Sequence, residues 1–154
     1  MNNKLNYPNW LVPLDIAKEL KEIGFDEPCL VTYHEVFDEE MIFISFEGDD
    51  YCYYYAELSE CSQRTNSEMG KDILETGKHY SYACSIPTWT DVLAWFRKKN
   101  LVGLVSYRYR DKNNKGFSFE ILDEDTNVFL YNTYEQAREA LVYKLIEIYK
   151  SEQK

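Results

Sequence analysis

The chain has 154 residues, 45% of them hydrophobic and 29% charged, and a net charge of −10. That length fits one domain able to bury its own core. The composition excludes a low-complexity chain, and the absence of any run of about 18 apolar residues excludes a membrane-spanning helix of the usual kind.

In chain order, "LDIAKELKEI" (14–23) predicts an amphipathic helix, with Pro13 at its first turn, Ile16, Leu20 and Ile23 on one face beside Ala17, and Gly24 as terminator. "CLVTYHEVF" and "MIFISFE" read as a strand pair separated by the acids at 38–40. The second is apolar on both faces, which predicts a central strand. "DDYCYYYAEL" follows as a third strand; alternation puts Cys52, Tyr54 and Ala56 on one face and Tyr51, Tyr53 and Tyr55 on the other. Residues 59–80 form an irregular link, interrupted by a short helix "SEMGKDILE" with Asn66 as N-cap.

The second half is more regular. "IPTWTDVLAWFRKKN" is a helix with Thr88 and Asp91 as an imperfect capping box; Trp89, Val92, Leu93 and Phe96 form its face, with Trp95 beside them. "LVGLVSYRYR", "FSFEIL" and "VFLYN" predict a three-stranded meander with turns at "DKNNKG" and "DEDTN". A last helix opens on the capping box Thr133–Gln136, carries Ala137, Leu141, Leu145 and Ile148, and runs to about Lys150.

These elements predict an α+β domain: an antiparallel sheet of about six strands, in one or two sheets, with two to four helices packed on it in the order α-β-β-β-(link)-α-β-β-β-α. A single domain over 1–154 is expected, with two αβ halves, 10–58 and 85–150, joined by an irregular link at 59–84, as the finer alternative. Both halves open on a proline-led helix followed by strands, but no fixed period recurs to establish a duplication.

The acids are unevenly placed. Residues 1–85 hold 17 acids and 6 bases, and residues 86–154 hold 10 acids and 11 bases. Nucleic-acid binding by the whole chain is therefore disfavoured, and an acidic surface suits a basic partner or simple solubility. The start "MNNKLNYPNW" lacks a basic stretch followed by an apolar one, which predicts a cytoplasmic protein. Cys29, Cys52, Cys61 and Cys84 have no CxxC spacing, so reduced thiols are expected, with no zinc site built from them and His34 or His79.

No phosphate loop, G-x-S-x-G or H-E-x-x-H is present. Cys84 follows His79 by five residues, but nothing local would lower its pKa, and a buried thiol is the better reading. Asp123, Asp125 and Asn127 open like a calcium loop, yet lack its glycine and its final glutamate; a hairpin turn is expected. Arg108 and Arg110 alternate with Tyr107 and Tyr109, within the only basic concentration of the sequence, shared with Arg97, Lys98, Lys99, Lys112 and Lys115. The expected arrangement is a solvated arginine face backed by a buried tyrosine face.

Residues 84–150, with "PTWTDVLAWFRKKN" and "FLYNTYEQAREALVYKLIEIYK", resemble a class of small bacteriophage and prophage proteins: a helix with W-[LF]-R (Trp95-Phe96-Arg97), a β-meander, and a helix opening T-Y-E-x-A (Thr133 to Ala137). The resemblance implies a mobile genetic element in a bacterial host, and no catalytic residues. The function expected is non-catalytic: an accessory or regulatory protein that binds a host or phage protein through its acidic, aromatic front half, as an inhibitor of a host enzyme or a mimic of DNA charge would. The alternative is a nucleotide or small-ligand module that stacks the ligand on tyrosines and holds an anion with Arg108 or Arg110; a third is a structural homodimer. Candidate binding residues are Asp49, Asp50, Tyr51, Tyr53, Tyr55, Arg108 and Arg110, with no metal or cofactor expected.

Overall fold

A computed structural model of the chain describes residues 8–36, 39–44, 63–76, 82–124 and 128–153, the side chains of 36, 39–44, 72–76 and 110 apart. The expected tyrosine strand at 51–55 lies outside these residues. The fold is α+β, with antiparallel pairing in every strand pair described. The chain divides into two compact units, residues 1–91 and 92–154.

In the first unit, α1 (Leu14–Glu22) buries Ile16, Ala17 and Leu20, the stripe read from its spacing. It ends in a Schellman motif: the Phe25 amide donates to Leu20 O at 2.9 Å and the Gly24 amide to Lys21 O at 3.1 Å, with Gly24 at φ +87°. Phe25, which follows the motif's glycine, is buried. β1 (Val31–Val36) pairs with β2 (Glu39–Ile44) in the register Val31↔Ile44 to Val36↔Glu39. The acids Glu39 and Glu40, expected in the turn, are therefore strand residues.

β3 (Tyr82–Ser85), a strand not expected from the sequence, pairs with the other side of β1. The order β2-β1-β3 makes β1 central among the described residues; the tyrosine strand expected beyond β2, which would make β2 central too, lies outside them. α2 (Asn66–Thr76) confirms the short helix within the link. Its cap is Thr65 rather than Asn66. The Thr65 hydroxyl accepts the Glu68 amide, and Glu68 Oε2 accepts the Thr65 amide in return. Asn66 is buried and ties elements together: its amide donates to Phe25 O at 2.7 Å and its carbonyl accepts the Ser85 N–H at 2.9 Å.

α3 (Trp89–Lys98) opens on a reciprocal box, Thr88 with Asp91, and the division between the units falls inside it. In the second unit α3 closes on another Schellman motif, with Leu101 N–H donating to Phe96 O and Asn100 to Arg97 O. Here Asn100, at φ +63°, takes the place glycine holds after α1. β4 (Gly103–Asp111) and β5 (Asn114–Ile121) form a hairpin whose register shifts between Tyr109 and Asp111, at Arg110. Asp111 Oδ1 accepts the Asn113 amide in the turn.

Of the expected third strand, "VFLYN", the described residues form a single bridge to β5, Phe117↔Tyr131, and Val128, Phe129 and Leu130 have exposed side chains. Gly116 permits the bridge: a Cβ there would lie 2.7 Å from Tyr131 O. α4 (Tyr134–Glu152), capped by Thr133, buries Ala137, Leu141, Val142, Leu145, Ile146 and Ile148. It covers the hairpin face that holds Gly103, where a Cβ would overlap Leu141 Cδ1. Trp95 meets Tyr149 of α4 edge to face, with ring centroids 5.1 Å apart.

Candidate functional site

Two side-chain clusters carry what chemistry the described residues hold, one in each unit. In the first, strand alternation places Tyr33 and Glu35 on one face of β1, and the register sets Cys84 and Tyr82 opposite them on β3. α1 brings Lys18 and Lys21 to the same place. Lys18 Nζ pairs with Glu35 Oε1 at 3.1 Å, and the Tyr33 hydroxyl donates to the same oxygen at 3.0 Å. The bond from Lys18, with that from Tyr33 as a smaller contributor, holds the Glu35 carboxyl below its usual range. Lys18 also lies 4.8 Å from the Tyr33 ring centroid. Lys21 lies 4.3 Å from that of Tyr82 and donates to Ala83 O.

Burial pushes the Cys84 thiol up to about 11 and the Cys29 thiol up to about 12, and raises the Tyr82 phenol. It lowers the Lys21 ammonium. Nucleophilic chemistry needs a thiolate, and this environment disfavours one. Cys84 is thus a buried core thiol, as its position before the tryptophan helix suggested. Among the described residues no group of three His, Cys, Asp or Glu is placed to hold a metal ion. His34 is buried, with Nε2 3.0 Å from Thr32 Oγ1. Asp123 takes φ +65°, the left-handed conformation the turn reading of "DEDTN" calls for; Asp125 and Asn127 lie outside the described residues.

The second cluster is the β4–β5 hairpin. On one face Arg108 Nε donates to Ser118 Oγ at 3.2 Å and its Nη2 to Glu120 Oε2 at 2.9 Å. The guanidinium expected to hold an anion therefore already has a carboxylate. On the opposite face Tyr107 stands across from Phe117, with ring centroids 5.3 Å apart, and Tyr109 across from Lys115. This tyrosine face was expected to be buried and is not. Tyr107 is 55% exposed and Tyr109 61%, because α4 begins at Tyr134, beside Phe117, and the distal half of the hairpin projects past it.

Asp49, Asp50, Tyr51, Tyr53 and Tyr55 lie outside the described residues, and Arg110 sits at the register shift of β4. The lysine–tyrosine–glutamate cluster was missed in the sequence. Lys18 and Lys21 are three apart on α1, a visible signal, but Tyr82 lies some sixty residues away. No helix among the described residues is long and apolar enough to cross a membrane. The chain matches no known family model, no curated protein and no solved structure.

Proposed function

We propose that this chain is a non-catalytic phage or prophage accessory protein that acts by binding a basic host protein through its acidic first unit, as an inhibitor of a host enzyme would. The carrying observation is the partition of charge. Residues 1–91 hold 18 acids against 6 bases, whereas residues 92–154 hold 9 against 11. Two of the six bases of the first unit, Lys18 and Lys21, are turned onto Glu35, Ala83 O and the rings of Tyr33 and Tyr82. The field the unit presents to a partner is correspondingly negative, and such a field steers and selects a basic surface.

The buried, protonated thiols of Cys29 and Cys84 favour a binding role over nucleophilic catalysis at those positions. The mobile-element setting rests on the resemblance of residues 84–150. Of the two arginines that the ligand-module alternative offers to an anion, Arg108 is already paired with Glu120. Affinity capture from a bacterial lysate, at low and at high salt, tests the reading: a basic protein retained at low salt and released at high salt is expected. Recovery of no partner at either salt counts against it.

A further inference from the structure

We propose that the distal half of the β4–β5 hairpin is a stacking platform for a single-stranded nucleic acid. Whole-chain charge argues against such a ligand, but that sum averages two units of different character. Residues 92–154 hold 11 bases and 9 acids, and "YRYRDKNNK", residues 107–115, holds four bases and one acid.

The rings and the cations share one end of the hairpin. Tyr107 and Tyr109 alternate along β4, so their side chains leave the same face roughly 7 Å apart. Each is more than half exposed, and Tyr107 is braced from one side by Phe117, itself edge to face with Tyr134 at 6.1 Å. A ring held as Tyr107 is, yet open to solvent, suits base stacking, because little of its rotamer freedom remains to be lost on binding, and Tyr109 offers a second open ring beside it.

The flanking charges fit phosphates. Lys115 stands opposite Tyr109 on the same face, and Lys112 is in the turn; both are exposed, with no ion-pair partner among the described residues. Arg108 differs, being on the other face and matched by Glu120. Asp111 is the one acid in this stretch, and its carboxylate is engaged by the Asn113 amide. A duplex hides its base faces, so rings on an open sheet select unpaired bases. The reading is independent of the one made for the first unit.

The test is fluorescence anisotropy of the full chain with end-labelled oligo-dT and oligo-U of about 12 nucleotides. Binding of either is expected, weakening as salt rises with a log–log slope of about −1.4, as contacts from Lys112 and Lys115 to two phosphates of a single strand require. The variant Y107A/Y109A should bind about tenfold or more weakly, the size expected for lost stacking. K112Q/K115Q, which disturbs no packing, should weaken binding and flatten the salt slope, with an unchanged circular dichroism spectrum. The proposal is overturned by no binding at low salt, by binding indifferent to both variants, or by equal displacement with a poly-glutamate peptide, which would mark a site for acidic protein instead.

Discussion

Glu120 closes on Arg108 across the β4–β5 pair at 2.9 Å, with both side chains about half exposed. The one arginine of the candidate set whose side chain is described thus spends its charge within its own hairpin. Exposed pairs of this kind contribute about 0.2–1 kcal/mol. A double-mutant cycle over R108A and E120A should return a coupling in that range, and R108A should leave any effect of nucleotides on the melting temperature unchanged. A clear nucleotide-induced rise abolished by R108A would restore the small-ligand alternative.

Asn66 replaces a cap with a weld. Its two buried hydrogen bonds, to Phe25 O and from Ser85 N, join the end of the α1 turn to β3. Asn66→Ala leaves a buried carbonyl and a buried amide without partners, at a cost of about 1–3 kcal/mol each before relaxation. T65A removes only the cap, at about 1 kcal/mol. Urea unfolding should therefore rank N66A well below T65A; the reverse order would show that Asn66 acts as the cap after all.

The two Schellman motifs predict opposite responses to similar changes. Gly24 has nothing within 4 Å of the place a Cβ would occupy, so Gly24→Ala costs only its left-handed backbone, about 1 kcal/mol. Asn100→Gly, at φ +63°, should be neutral or slightly stabilising. Gly116→Ala is a different case, because the atom in the way is the Tyr131 carbonyl; it should cost about 1–3 kcal/mol and detach residues 128–131 from β5. Hydrogen exchange at the Phe117 and Tyr131 amides reads this directly.

The buried thiols predict an alkaline limit to stability. Their folded pKa values lie above the unfolded value near 9, at about 11 for Cys84 and about 12 for Cys29, so the folded state holds these protons longer. Their contribution is fully present below about pH 9 and is lost as pH rises toward pH 11, at about 1.4 kcal/mol per pH unit per thiol. The raised Tyr82 phenol acts in the same direction, and the lowered Lys21 ammonium opposes it. Urea midpoints should fall between pH 9 and pH 11. In a C52S/C61S background, alkylation of the remaining thiols at neutral pH should be on the order of a hundredfold slower than in urea. Equal rates would place them at the surface.

Much of this fold is legible in local chemistry. Thr88–Asp91 and Thr133 announced the starts of α3 and α4, Gly24 announced the end of α1, and the alternation in "SYRYR" and "FSFEI" set the hairpin. What escaped depended on distant partners. β3 is four residues long, and its hydrogen bonds go to β1, about fifty residues earlier. Asn66 has the residue type of a cap, and only Phe25 and Ser85 reveal its other use. Alternation separated Tyr107 and Tyr109 from Arg108 correctly, but it could not say how far α4 reaches along their face. That reach decides which rings are core and which are surface.

The central claim, that the acidic first unit recognises a basic partner, is tested most directly by capture from lysate with wild type beside D49N/D50N, at about 50 mM and about 500 mM salt. The account predicts a basic protein held by the wild type at the lower salt, lost at the higher, and held less well by the variant. A partner retained equally under all of these conditions, or none under any, would contradict it.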